Sequence, residues 1–363
     1  MRVLLIVDTV FAVRERPLIS RLEVGLADEG VGVVLALPER APISSDLGLV
    51  GDPVRFRLAG FALTRAIRAR QLVRRLTAGA DATQIDLIHV FGGASWSLAG
   101  EVATLLAVPV VLEVWRGGLC ERARAFRPNP SVPVILLAPG RDVERRLLAE
   151  GGSGMVRLAR WGGSVPADPA IPLRDGSVAS IMLVGNGRDA VGLTAAFDAA
   201  ARLAAERGDV MIFLDADAAR QAGLWKRAKR HAITDKLTLI DRMEERRDLV
   251  LQGDIFVYPE RLQEHRTVLL DALAAGLPVV VAADDAVEEL IDGRTAVVVP
   301  RPDPDIWHHA IAELLDDRDR ARAIGAAARE SIRDGRRFTS YVAAVLDAYE
   351  WATGSESTPI RGA

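Results

Sequence analysis

The chain has 363 residues, half of them hydrophobic and 26% charged, with a formal net charge of −3. That length predicts two domains rather than one core, and the balanced charge gives no general attraction to nucleic acid. Cys120 is the only cysteine, which excludes a disulfide framework and a thiolate metal cluster and points to a reducing cytoplasm.

The N-terminal apolar run over 2–8 is broken by Asp8 and reads as a buried strand, not a signal peptide. A helix over 18–29 ending at Gly30 follows, then a strand over 31–37 stopped by Pro38 and a loop-rich stretch over 41–57. A helix is predicted over 61–78, strands over 85–90 and 108–114, and a helix between them over 96–107. After a Pro-rich turn come a strand over 132–137, a helix over 141–150 and a strand over 155–161. Residues 162–176 hold three prolines and little periodicity, so 163–176 reads as a linker between domains at 1–162 and 177–335.

A second series begins there. Strands are predicted over 178–184, 210–214, 237–240, 254–258, 278–281 and 296–299. Helices are predicted over 193–206, 218–231, 245–251, 267–275, 287–291, 305–316 and 320–333. A last helix lies within 336–352, and 353–363 reads as a flexible tail. Strands alternating with helices predict an α/β fold of doubly wound parallel sheets. No apolar stretch is long enough to span a membrane.

The stretch from 254 to 281 is the most informative. A buried strand stops at Pro259, and the polar residues 260–266 form a loop. Thr267 is the expected N-cap of a helix closed by Gly276 and Pro278, after which the next strand begins. A polar loop thus leads to a helix N-terminus at the carboxyl end of a strand, where open α/β sheets bind ligands and free N–H groups favour phosphate.

The run Asp271-Ala272-Leu273-Ala274-Ala275-Gly276-Leu277-Pro278-Val279-Val280 resembles the donor-site motif of the group 1 (family 4-like) retaining glycosyltransferases of GT-B architecture. The turn Asp292-Gly293-Arg294-Thr295 and Asp303 after Pro300 extend the resemblance, which is clearest from about 177 to 333. It implies two Rossmann-like domains facing across a cleft, with the last helix returning towards the first. It also implies a cytoplasmic transferase of carbohydrate biosynthesis. Such an enzyme moves a sugar from a nucleoside diphosphate sugar to a glycan, lipid or small-molecule acceptor with retention, and needs no cofactor or metal.

Carried over by position, the resemblance assigns donor binding to Gly185, Gly187, Arg188, Gln263, Arg266, Thr267 and Val268. Catalytic roles fall to Asp271, Glu264 and His89, and Trp115 and Arg116 lie on the acceptor side. The chain departs from the family at several of these positions. Asn186 and Val191 stand where the diphosphate-binding Arg and Lys are expected, Gln263 replaces the first glutamate, and Glu264-His265-Arg266 replaces Gly-aromatic-Gly. Arg188 or Arg266 would then supply the missing cation. The alternative is a non-catalytic relative kept as a binding or partner subunit.

Two other features carry a plainer reading. Leu214-Asp215-Ala216-Asp217 has the Asp-x-Asp form that can hold a divalent ion, yet Asp217 reads better as the cap of the next helix. The helix over 61–78 carries Arg65, Arg68, Arg70, Arg74 and Arg75. Its charged and apolar faces are poorly separated, so it reads as a solvated surface helix, with at most peripheral membrane contact.

Overall fold

In the computed structural model, the described residues are 1–41, 47–58, 62–78, 84–149 and 155–354. They form two units, one built from Met1–Trp161 and Phe338–Ala363, the other from Gly162–Arg337. The predicted tail lies, from 355 onward, outside the described residues, as do Phe61 and Glu150 at the ends of predicted helices.

The first unit holds seven strands: β1 (Arg2–Val7), β2 (Gly32–Pro38), β3 (Val54–Phe56), β4 (Leu87–Phe91), β5 (Val110–Glu113), β6 (Val134–Ala138) and β7 (Val156–Leu158). They pair in parallel in the order β3-β2-β1-β4-β5-β6-β7. The second unit holds six: β8 (Ala179–Leu183), β9 (Val210–Asp215), β10 (Leu237–Ile240), β11 (Ile255–Tyr258), β12 (Val279–Ala282) and β13 (Val297–Val299). Their order is β10-β9-β8-β11-β12-β13, again parallel. Helices cover both faces of such sheets, so the strands are apolar throughout rather than alternating. Val3 to Val7 are all fully buried, with Leu5 set between Leu35 and His89.

In each sheet the winding reverses once, between β1 and β4 in the first unit and between β8 and β11 in the second. These switch points open a crevice at the carboxyl ends of the strands, because the connecting helices leave in opposite directions.

Four departures from the predicted elements have an identifiable cause. Residues 9–14 are helical (Thr9–Arg14), because Asp8 accepts the Phe11 N–H at 3.0 Å and starts a helix nine residues before the expected one. Within the loop-rich 41–57, β3 forms by pairing with β2. The predicted helix over 218–231 is cut into Ala216–Gln221 and Leu224–Arg230 by Gly223, which takes a left-handed φ of 64°. Residues 287–291 form turns, because Thr295 Oγ1 accepts the Ile291 N–H at 2.8 Å and donates to the Glu289 carbonyl, competing with helix bonds.

The helix Phe338–Thr353 completes the first unit, burying Tyr341, Val345, Ala348 and Tyr349. A second packing feature of this unit sets a pH dependence. Glu23 is 1% exposed on the helix Arg16–Asp28, where one oxygen accepts the Gly48 N–H at 3.1 Å. Burial raises its pKa from 4.5 to about 7. A carboxyl raised on folding contributes stability that is complete below pH 4.5 and lost as pH rises through about 7. Glu23→Gln is therefore expected to flatten this part of the stability–pH curve. It should gain up to about 3 kcal/mol over the parent above neutrality, read from urea unfolding between pH 4 and pH 8.

Candidate active site at the switch point of the second unit

The strand β8 ends in the turn Val184-Gly185-Asn186-Gly187-Arg188, and Asp189 caps the following helix by accepting the Gly192 N–H at 2.9 Å. The strand β11 ends at Tyr258 and Pro259, and the loop 260–266 leads into the helix Thr267–Ala275. Turn and loop therefore meet at the switch point. They approach so closely that any side chain at Gly192 would strike the Pro259 carbonyl.

The polar stretch 260–266 is a loop, as predicted, but most of its charged side chains are buried. Glu260, Glu264, His265 and Arg266 are all buried, between 0 and 5% exposed. One oxygen of Glu260 accepts the Asn186 N–H at 2.9 Å, so a carboxyl of the chain lies against the turn where the resemblance expects a phosphate. Burial raises the Glu260 pKa, with the N–H bonds from Asn186 and then, more weakly, Gly187 opposing it. Glu264 bonds the Arg188 guanidinium, which is 44% exposed, and Arg266 bonds Glu244 beneath the surface. Both arginines expected to face the diphosphate are thus held by carboxylates of the same unit.

Thr267 is the first helical residue and not the cap, a role that falls to the Arg266 backbone. The Thr267 hydroxyl instead accepts from Arg247 at 3.0 Å. Val268 is fully buried and packs in the core. Gln263 stays exposed, with a left-handed φ of 50°, and its N–H donates to Asp284 at 2.8 Å. Asp271, in the middle of its helix, accepts the Ser164 N–H at 3.2 Å. Asp215, rather than Asp217, caps the helix Ala216–Gln221, taking the Asp217 and Ala218 N–H groups on one oxygen and the Met243 N–H on the other. Asp217 pairs with Arg220 at the surface.

Three buried polar atoms gathered here lack a hydrogen-bond partner among the described residues: Asn186 Nδ2, Tyr258 Oη and Glu260 Oε1. Burial lifts the Tyr258 phenol well above its ordinary pKa, so it stays a proton donor. Unpaired buried groups are costly and mark sites where a ligand can complete the bonding. Sequence reasoning missed Glu260, Tyr258 and Glu244. The first two could have been read from their place at the end of the switch-point strand, whereas no local signal marks Glu244.

The first unit supplies the remaining candidates. His89 is fully buried on β4, with Nδ1 2.7 Å from the Tyr349 hydroxyl and Nε2 3.1 Å from Glu113. Desolvation lowers its pKa and keeps the ring neutral, with the Glu113 hydrogen bond opposing. Trp115 is buried edge-on against Phe11, and the Arg116 guanidinium lies 5.1 Å from its ring. At this unit's own switch point Asp8 accepts the Ala94 N–H at 3.2 Å, packed against Gly92 at a φ of 86°. Each switch point thus carries a buried carboxyl bonded to the turn across from it.

Two doubly wound parallel sheets with polar turn groups gathered at the switch point define a GT-B protein. Sucrose-phosphate synthase from Thermosynechococcus elongatus superposes with a TM-score of 0.73 at 15% identity, over 98% of this chain and 100% of that one. Anabaena HepE in complex with UDP also gives 0.73, at 13% identity, over 97% of this chain and 100% of that one. Residues 179–317 match the family of glycosyl transferases group 1, so the second unit carries a domain of that family. A GDP-mannose-dependent alpha-(1-6)-phosphatidylinositol monomannoside mannosyltransferase from Mycobacterium tuberculosis is 40% identical over 81 residues. That match spans 22% of this chain and only about a fifth (21%) of the relative's length.

Proposed function

We propose that the protein is a retaining glycosyltransferase that takes its sugar from a nucleoside diphosphate bound at the β8–β11 switch point. The observation that carries this reading is the convergence there of a glycine turn, a helix N-terminus and the unpaired Asn186, Tyr258 and Glu260 atoms. N–H groups of the turn and Arg188, once released from Glu264, would stabilise charge on the departing diphosphate. Glu264 and Asp271 would hold hydroxyls of the donor. The complex of HepE with UDP and the GDP-mannose-dependent relative support a nucleotide-sugar donor. A glycan or lipid-linked acceptor and independence of metal belong to the same reading.

A second reading rests on Glu260. Its carboxyl already bonds the turn, and the nearby cations are ion-paired, as in a relative that keeps the fold without transfer. Calorimetric titration of UDP, GDP and ADP, with and without a hexose, separates the two. The expected result is binding of at least one nucleotide, and hexosyl transfer that Asp271→Ala lowers by about 10- to 100-fold in kcat/KM. Binding with no turnover of any donor would favour the second reading. No binding at millimolar concentration would sink both as nucleotide-dependent functions.

A further inference from the structure

The outer edge of the first unit's sheet holds a separate feature. The edge strand β3 and the helix Ala62–Thr77 enclose a cavity of about 370 Å³, lined by Arg55, Arg57, Arg68, Arg74, Arg75 and a single acid, Glu39. Five guanidinium groups thus face one carboxylate, with Phe56 and Leu72 also in the lining.

The arginines are not equivalent. Arg55 is fixed by donating to the Pro38 and Ala41 carbonyls, both at 3.2 Å. Arg75 donates to the Arg55 carbonyl and lies 3.8 Å from Glu39, which accepts from Arg57 at 2.5 Å. Arg68 reaches only Gln71, at 2.8 Å, and the exposed Arg74 guanidinium makes no hydrogen bond or ion pair among the described residues. Glu39 is held below the usual carboxylate range, chiefly by the Arg57 hydrogen bond and then by the charges of Arg57, Arg75 and Arg68. One carboxylate cannot neutralise five cations, and the excess is concentrated in a concave space in which Arg55 is fixed. Guanidinium forks match phosphate oxygens in pairs, which lone surface cations do not. Charged side chains also guard exposed sheet edges against pairing, but that role needs neither a cavity nor inward convergence.

We propose that this cavity binds a multiply charged phosphate group, with Arg68 and Arg74 closing on it against the framework of Arg55 and Arg75. The phosphate is either free in solution or presented by a phosphomonoester lipid headgroup. The site is independent of the donor reading, since every residue of it belongs to the first unit.

The test uses the full chain at constant ionic strength, because exposed charges are screened by salt. Pyrophosphate is titrated in one arm. In the other, vesicles of phosphatidylcholine with and without phosphatidate are co-sedimented with the protein. The variants are Arg68→Gln with Arg74→Gln, which keep helix propensity, and Glu39→Gln. Affinity is expected to fall by at least about 10-fold in the double arginine variant. It should rise a few fold, on the order of the loss of one opposing carboxylate, in Glu39→Gln. Because a nucleotide site in the second unit can also take pyrophosphate, stoichiometry is read with affinity, and the double arginine variant should lose one equivalent. Saturable pyrophosphate binding lost in that variant identifies a free phosphate. Phosphatidate-dependent sedimentation lost in it identifies a lipid headgroup. The proposal is overturned if neither probe binds the parent, or if the double arginine variant binds both as the parent does.

Discussion

Arg266→Met is expected to remove about 3–5 kcal/mol from the stability of the second unit. Arg266 is 1% exposed, and its guanidinium bonds Glu244, itself 6% exposed. Loss of the cation strands a carboxylate in a site shared with Glu260 and Glu264, where like charges already crowd. The penalty comes from the unpaired charge rather than from lost attraction, so adding Glu244→Leu should recover most of it. Urea unfolding followed by circular dichroism reads the effect as a shift of the second unit's transition. A loss below about 1 kcal/mol would mean that the pair behaves as a solvated surface bridge.

The second large effect is expected in the first unit, for Glu113→Ala. Glu113 is fully buried at the end of β5 and accepts from the Trp161 indole, from His89 at 3.1 Å and from the Tyr341 hydroxyl at 3.4 Å. The Tyr349 hydroxyl bonds the other nitrogen of His89, so two tyrosines of the helix Phe338–Thr353 depend on this one side chain. With the proton on Nε2, every bond in the chain has a donor and an acceptor. Alanine leaves three buried donors unsatisfied at about 1–3 kcal/mol each, partly relieved by relaxation, so a loss of about 3–5 kcal/mol follows. Hydrogen exchange separates this from general destabilisation: amides of Phe338–Thr353 should lose protection earlier than those of β1. Unchanged protection across that helix would contradict the assignment.

How far the sequence could be read depended on whether the signal was local. The helix Thr267–Ala275 has the bounds predicted for it, because Gly276 takes the left-handed C-cap, at a φ of 84°, and Pro278 ends any continuation. Continuous apolar runs likewise revealed the parallel strands. The loop between Pro259 and Thr267 was legible as a polar loop, but its burial was not, because its charges are neutralised from outside. Arg266 meets Glu244, 22 residues away, and Glu264 meets Arg188, 76 residues away. Neither pairing has a periodicity or motif. The same holds for β3, a three-residue strand that exists only by pairing with β2. The departures at Asn186 and Gln263 were visible, and the place of Glu260 at the end of the strand was too, but its bond to the Asn186 N–H emerged only from the fold.

One arrangement bears on how the chain is made. The first unit takes its last helix from Phe338–Thr353, after the whole of Gly162–Arg337 has been synthesised. At about 5–20 residues per second, translation leaves the first sheet without that helix for roughly ten to thirty seconds. During that interval the faces later covered by Tyr341 and Tyr349, with His89 and Glu113, lack their lid. The contiguous second unit has all its strands in hand before the first can finish. The order of completion is thus the reverse of the order of synthesis, and the nascent first unit is the stage at which a chaperone has the most to protect.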